Sequence, residues 1–298
     1  MDFADTFKEK VMDPFVRSYL SGETPNPCIQ CNRFVKFRAL LDRALVLGAD
    51  AVATGHYARI AEDPREGRPL YRLLRALDPA KDQSYVLHHL GQGELSRLLF
   101  PVGEMTKPQV REVARRHALR TADKAESMEI CFVPKADTAA YVKAHGGDAF
   151  TGRPGPLRDT AGTFLGTHRG VAFFTRGQRE GLGLALGRPV YVVDLDPATN
   201  TVVVGSREET RCGLFFVEDV RWTSGAPPVF PGEALVQIRS HHRAVPCVIR
   251  ERTEGVEVEL KDPQGAVTPG QSAVFYQGDE VIGGGVIQRA PVAVGVGL

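Results

Sequence analysis

The run Gly22-Glu-Thr-Pro-Asn-Pro-Cys28-Ile-Gln-Cys31-Asn32-Arg33 decides how the chain is read. Two prolines hold its first half extended, and a strongly periodic segment begins directly afterwards. Phe34, Phe37, Leu41 and Leu45 recur at helical spacing up to Gly48, while upstream Phe3, Phe7, Val11 and Phe15 recur every four residues before Gly22 closes a first helix. The cysteine pair therefore stands at a helix N-terminus, where the backbone dipole favours thiolate, the nucleophilic and metal-binding form. A strand, Ala51-Val-Ala-Thr54, follows and ends in Gly55-His56-Tyr57. That is the strand-end position at which open α/β sheets place ligands.

Working outward, Lys81-Asp82-Gln83-Ser84 precedes an apolar segment read as helix. Thr106 caps another helix with Pro108 in its first turn, and strand pattern returns from Met128 to Val133. After about Lys135 the composition changes to short valine-rich strands with Gly and Pro turns. One hairpin pairs Val190 to Asp194 with Thr201 to Val204 across Asp196 to Asn200; a second pairs Ala273 to Tyr276 with Val281-Ile282. Short strands at Ala234 to Arg239, Val245 to Glu251 and Val256 to Leu260 complete a small C-terminal β-barrel. The expected class is α/β followed by β: an α/β domain over 1–134, a central β-rich module over 135–207 and the barrel over 208–298.

With 298 residues, 43% apolar content and a net charge of +1, the chain has the material for several packed cores. Its overall charge makes no case for nucleic acid or membrane, so either partner must be argued from a local patch. Five cysteines without regular spacing do not form a secreted disulfide framework. No apolar run approaches the roughly 18 residues of a membrane span, and the N-terminus lacks a signal peptide's pattern. A cytoplasmic protein with no membrane partner is expected.

Cys131, alone in Ser127-Met-Glu-Ile-Cys131-Phe-Val, is the third cysteine of interest. Read from residues only, three chemistries stay open. Structural zinc wants a second close pair, which is missing. A thioredoxin-like dithiol at Cys28 and Cys31 is a second reading, and an iron–sulfur site from Cys28, Cys31 and Cys131 a third. Beside apolar Ile130 and Phe132, Cys131 also reads as a buried small hydrophobe, and Cys212 and Cys247 look structural. Lys107, Arg111 and Arg115, with Arg116, Arg120 and Lys124, stripe one helix, and Arg239-Ser240-His241-His242-Arg243 forms a second basic patch. Each is a phosphate-binding candidate and equally a solvated face. The chain contains neither a Ser-Gly-Gly-x-Asp-Ser pyrophosphate loop nor a Gly-x-x-x-x-Gly-Lys-Ser/Thr loop.

Taken together, Thr24-Pro-Asn-Pro-Cys-Ile-Gln-Cys31-Asn32 with Lys36-Phe37, Ala53-Thr-Gly-His-Tyr57, Lys81-Asp-Gln-Ser-Tyr85, Phe100-Pro-Val-Gly103, Glu129-Ile-Cys-Phe132, Gly177-Gln-Arg-Glu-Gly-Leu-Gly183 and Thr268-Pro-Gly-Gln-Ser-Ala-Val-Phe-Tyr276 resemble the bacterial tRNA-specific 2-thiouridylase family over nearly the whole chain. The resemblance implies a partial adenine-nucleotide α-hydrolase-like (PP-loop) α/β domain. It implies ATP, with Mg2+, activating the C2 oxygen of the tRNA wobble uridine, and Cys131 as a persulfide loaded by a sulfur-relay protein. Cys31 matches the family's second catalytic cysteine, which attacks the persulfide and leaves a transient Cys31–Cys131 disulfide. Gly55 then lies at ATP; Asn26, Pro27 and Cys28 surround the target base; His56, Lys81, Asp82, Gln83, Arg239, Ser240 and Gln271 touch tRNA. A flipped-out anticodon base suits such a pocket.

Cys28 stands where many family members carry Asp, and Ser240 where an aromatic residue is usual. The family's pyrophosphate loop lies upstream of the segment matching Asp2-Phe3, so this chain reads as truncated, with weak or absent ATP-dependent activity and an exposed, aggregation-prone sheet edge expected. The alternative is a non-catalytic tRNA-binding or sulfur-carrier relative.

Overall fold

The computed structural model describes residues 1–65, 67–124, 129–147 and 152–289. The first helical run, 4–20, consists of Ala4–Phe7, Lys8–Met12 and Asp13–Leu20. Its middle stretch widens to i to i+5 spacing immediately before Pro14, which cannot donate a helical hydrogen bond. Val11, Phe15 and Val16 face inward, as their periodicity requires. Gly22, at φ +69°, turns the chain into the extended Thr24–Asn26 segment. The cysteine helix follows over 27–46, built from Pro27–Gln30, Cys31–Leu40 and Leu41–Val46. It buries Ile29, Phe37 and Leu41.

Strands β1 (Val52–Ala53) and β4 (Leu98–Leu99) form a two-stranded parallel sheet, with no further strand on it among the described residues. Between them in sequence lie β2 (Ala58–Asp63) and β3 (Leu70–Arg75), an antiparallel hairpin absent from the sequence reading. The middle module is a four-stranded sheet ordered β6-β5-β8-β7, from β5 (Gly155–Asp159), β6 (Phe164–His168), β7 (Tyr191–Asp196) and β8 (Thr201–Gly205). Its β7–β8 hairpin is the expected one.

The C-terminal part comprises β9 (Arg211–Trp222), β10 (Gly232–Gln237), β11 (Val245–Glu251), β12 (Val256–Gly265), β13 (Ser272–Gln277) and β14 (Glu280–Ile287). The order β13-β10-β11-β12-β9-β14 closes through β13–β14 pairing into a six-stranded barrel, as expected. Phe215, Val217, Val236, Ile238, Ile249, Val258 and Phe275 fill it. The β2–β3 hairpin of the first domain docks on this barrel, with Glu280 opposite Leu74 and Val281 opposite Leu73. Accordingly one apolar cluster joins Phe37, Leu41, Leu73, Leu87 and Leu90 to Val274, Tyr276 and Val281 of the barrel.

Two expected elements are corrected. The segment after Ser84 is not a long helix but a single 3-10 turn, Ser84–Leu87, followed by Gln92–Leu95. Ser84, Tyr85, Leu87, His88, His89 and Leu90 are all buried, so the chain is enclosed on every side and no amphipathic period exists. Residues 129–133 form a turn rather than a strand, Val133 N–H donating to Ile130 O at 3.0 Å; Met128 lies outside the described residues. The apolar residues there anchor the turn instead of pairing in a sheet. No helix among the described residues is long and apolar enough to cross a membrane.

Candidate functional site

Three parts of the chain converge on Thr24–Asn26. Thr24 N–H donates to Pro269 O at 2.9 Å, Gln271 Nε2 donates to Thr24 O at 2.6 Å, and Thr24 Oγ1 donates to Thr175 Oγ1 of the middle module at 3.4 Å. Gly270 makes the barrel contact possible: its φ is +86°, and an added Cβ would stand 3.0 Å from Glu23 Cβ and 3.1 Å from Thr24 N. Held this way, Asn26 caps the cysteine helix by accepting from Cys28 N at 3.1 Å, and Pro27 takes the first helical position. Cys28 is exposed and Cys31, one turn on, half-buried.

Cys131 comes from the opposite side. Phe132 packs edge-on against Phe7, Phe15 and Tyr141, with ring centroids 5.6, 5.2 and 5.4 Å apart. This anchor pins the 130–133 turn to the first helical run and leaves Cys131 exposed, correcting its reading as a buried hydrophobe. All three cysteines are free thiols. Cys131 lies near enough to Cys28 and Cys31 for charge on one to act on the others. Among the described residues no three His, Cys, Asp or Glu side chains converge on a metal-binding point.

Desolvation by the surrounding protein atoms raises Cys31 and also Cys28, which nonetheless keeps access to solvent; the Cys131 charge raises them too, while Lys36 pulls them down. The helix-start expectation of a lowered thiol value is not met: both values are raised, with desolvation the largest cause. Lys36, to which sequence reasoning assigned no role, supplies the compensating charge. It stands five residues beyond Cys31, and the i to i+5 winding of Cys31–Leu40 brings such positions onto one face.

Lys36 Nζ also lies 3.5 Å from His56 Nε2, and His56 Nδ1 lies 2.7 Å from Thr54 Oγ1. An ammonium only donates, so Nε2 accepts and Nδ1 carries the proton toward Thr54. Burial, helped by Lys36, pushes the imidazole down to about 4, so His56 is neutral at pH 7. Beside it Gly55 is exposed, with no atom within 4 Å of where a Cβ would stand, which leaves room for a flat ligand at the strand end.

Gln83 ties the next loop to this strand end: its Oε1 accepts from Tyr57 N at 2.9 Å, and its own N–H donates to Tyr57 O at 2.8 Å. Asp82 faces inward, its carboxylate accepting from Ala76 N, Ser84 N, Ser84 Oγ and Arg75. Lys81 is half-buried in the same loop. Arg75 lies 3.6 Å over the Tyr276 ring and reaches Gln237 at 3.5 Å, and Gln237 Nε2 donates to Arg239 O at 3.2 Å. The 81–84 loop and the turn of exposed Arg239 and half-buried Ser240 are thus linked, whereas Gln271 belongs to the thiol side. On the basic helix, Arg115 is paired with Asp123 at 2.8 Å, and Lys107 lies 5.5 Å over the Tyr57 ring.

A further link was not foreseen. Arg33 forms a forked ion pair with Asp219 on β9, tying the cysteine helix to the barrel. No local pattern marks Asp219; it sits at φ +47° in an irregular part of its strand.

Comparison with known proteins gives first a class. Residues 1–135 match the family model of a tRNA methyl transferase HUP domain, 141–206 a tRNA methyl transferase PRC-barrel domain, and 213–287 an aminomethyltransferase beta-barrel domain. The chain is 50% identical over 288 residues to the tRNA-specific 2-thiouridylase MnmA of Chloroflexus aurantiacus, covering 96% of this chain and 79% of that protein. It is 48% identical over 292 residues to that of Carboxydothermus hydrogenoformans (97% and 78%) and 46% over 291 residues to that of Moorella thermoacetica (97% and 80%). The chain belongs to the tRNA-specific 2-thiouridylase MnmA family.

Proposed function

We propose that this protein is a tRNA 2-thiouridylase, a sulfurtransferase that replaces the wobble-uridine C2 oxygen with sulfur. The observation that carries the reading is that free thiols from two distant segments come within reach of one another's charge in a chain nearly half identical to enzymes of that name. The same identity disfavours a non-catalytic relative. The division into domains over 1–134, 135–207 and 208–298 is supported by separate apolar clusters in the middle and C-terminal parts.

Cys131, exposed on its anchored turn, is positioned to receive sulfane sulfur from a relay protein and to present it as a persulfide. The terminal sulfur attacks uracil C2, the C2–O bond breaks, and the activated oxygen leaves with its nucleotide group. Cys31 then attacks Cys131 Sγ, the persulfide S–S bond breaks, sulfur stays on C2, and a Cys31–Cys131 disulfide remains for an external reductant. Asn26, Pro27 and Cys28 border the base, while Gly55 offers the open backbone at which an adenine nucleotide fits. ATP, accompanied by Mg2+, supplies the activation of the C2 oxygen when bound. His56, Lys81, Gln83, Arg239, Ser240 and Gln271 are assigned to tRNA; Asp82 serves that surface by shaping its loop. The free thiols and the lack of a membrane-crossing helix among the described residues support a cytoplasmic setting.

The test is thiouridine formation in a tRNA transcript supplied with ATP and a persulfide donor, read by nucleoside mass spectrometry. Product with the wild-type chain and none with Cys31→Ser or Cys131→Ser is expected. Unchanged product in either variant removes that residue from the mechanism, and no product with the wild-type chain overturns the activity for the chain as it stands.

A further inference from the structure

Resting on the sulfur-transfer reading, we infer that Cys28 is a third working thiol, one that resolves the Cys31–Cys131 disulfide inside the protein and returns Cys131 to its free form. Cys28 and Cys31 stand three residues apart at the start of one helix, hence on the same face and one turn from each other. This is the spacing of helix-start dithiols that cycle between thiol and disulfide. Cys28 is the outer member and exposed, Cys31 the half-buried one, and Cys131, on the anchored 130–133 turn, lies within reach of charge on both. The Asn26 cap and the barrel's grip on Thr24 fix the segment carrying Cys28, so little ordering is needed to bring it onto its neighbour.

The step balances without an oxidant. The Cys28 thiolate attacks Cys31 Sγ, a Cys28–Cys31 bond forms, the Cys31–Cys131 bond breaks, and Cys131 leaves as thiolate and takes up a proton. One thiol and one disulfide become one disulfide and one thiol. The two electrons that close the cycle come from an external dithiol acting on the exposed Cys28 sulfur. The persulfide carrier is thus freed before the reductant arrives, and the reductant need not enter the tRNA-covered site. The attacking thiol, though reachable from solvent, is held above its ordinary pKa chiefly by the protein atoms that surround it, so exchange should accelerate as pH rises.

The experiment is disulfide mapping of the full chain equilibrated in a dithiol/disulfide buffer, acid-quenched, alkylated and digested for mass spectrometry. In the wild-type chain the Cys28–Cys31 bridge should exceed the Cys31–Cys131 bridge by roughly tenfold, whereas in Cys28→Asp and Cys28→Ser the Cys31–Cys131 bridge should persist. A dominant Cys31–Cys131 bridge in the wild-type chain, with Cys28 alkylated, overturns the inference and leaves the sulfur-transfer reading intact. Absence of any Cys131 bridge in the Cys28 variants as well overturns both.

Discussion

At the residue scale the site is governed by one cation. Lys36 is the charge that opposes the desolvation of Cys28 and Cys31, and it also holds His56 in the tautomer that donates to Thr54. Removing that charge while keeping the alkyl stem, in Lys36→Met, raises both thiols further and lowers their thiolate fraction near neutral pH. Alkylation of Cys28 and Cys31 by iodoacetamide at pH 7.5 should slow by roughly threefold to tenfold. The wild-type rate returns in the variant only when the pH is raised. An unchanged rate at pH 7.5 would show that Lys36 does not set thiol reactivity. Sequence alone marked Lys36 as part of a motif and gave it no task, because a five-residue offset lies on no face of an ordinary α-helix.

At the scale of elements, the site depends on how closely one loop of the barrel approaches the Thr24–Asn26 segment. Gly270→Ala demands φ +86° of a residue with a Cβ and places that atom against Glu23 and Thr24. The expected cost is about 1–3 kcal/mol, read as a lowered urea midpoint, together with faster protease cleavage near Thr24. Stability equal to wild type would mean that the loop and segment are not mutually fixed. Gly103 plays the same part elsewhere, since a Cβ there would lie 1.8 Å from Ala58 O. The sequence showed both helical runs and both terminal hairpins plainly, because Phe37, Leu41 and the valines of β8 obey simple periods. It did not show the 129–133 turn or the buried 84–90 segment. Apolar residues anchored in several directions at once carry no period, and Ile130, Phe132 and Val133 imitate a strand while packing on a helix. The site residues were nameable from motifs, but Asp82's inward role and the Arg33–Asp219 tie depend on partners far away in sequence.

For the molecule as a whole, the junction between the first domain and the barrel is where pH acts. His88 donates to or accepts from Ser272 at 3.2 Å, and neither ring nitrogen of His89 has a well-formed hydrogen bond, the Asn32 backbone only partly offsetting its burial. Burial, chiefly, brings His56 and His88 down to about 4 from the ordinary 6.5, and His89 well below it. The unfolded chain takes up these protons first, so their contribution to stability is complete above about pH 6.5 and is lost as the pH falls toward 4. The loss approaches about 3 kcal/mol each for His56 and His88 at the acid end, and His89 adds to it in the same direction. Urea midpoints should fall steeply between pH 7 and 5. His89→Leu should flatten that fall while leaving stability at pH 7.5 equal or higher by about 1 kcal/mol, since it removes a buried polar group lacking good partners. An identical pH slope in the variant would refute the assignment.

The hairpin lent by the first domain to the barrel has a consequence in time. Leu74 pairs with Glu280, so a sheet partner needed by β3 is synthesised about 200 residues later. At roughly 5–20 residues per second, the β2–β3 hairpin waits about 10–40 seconds with its outer edge unsatisfied. Local helices form in microseconds, but the surface that unites the thiol helix with the barrel closes only once β14 has been made. The newborn chain is therefore most exposed to mispairing at β3, and a factor that shields unpaired strand edges during translation should raise the yield of folded protein more than one acting after release.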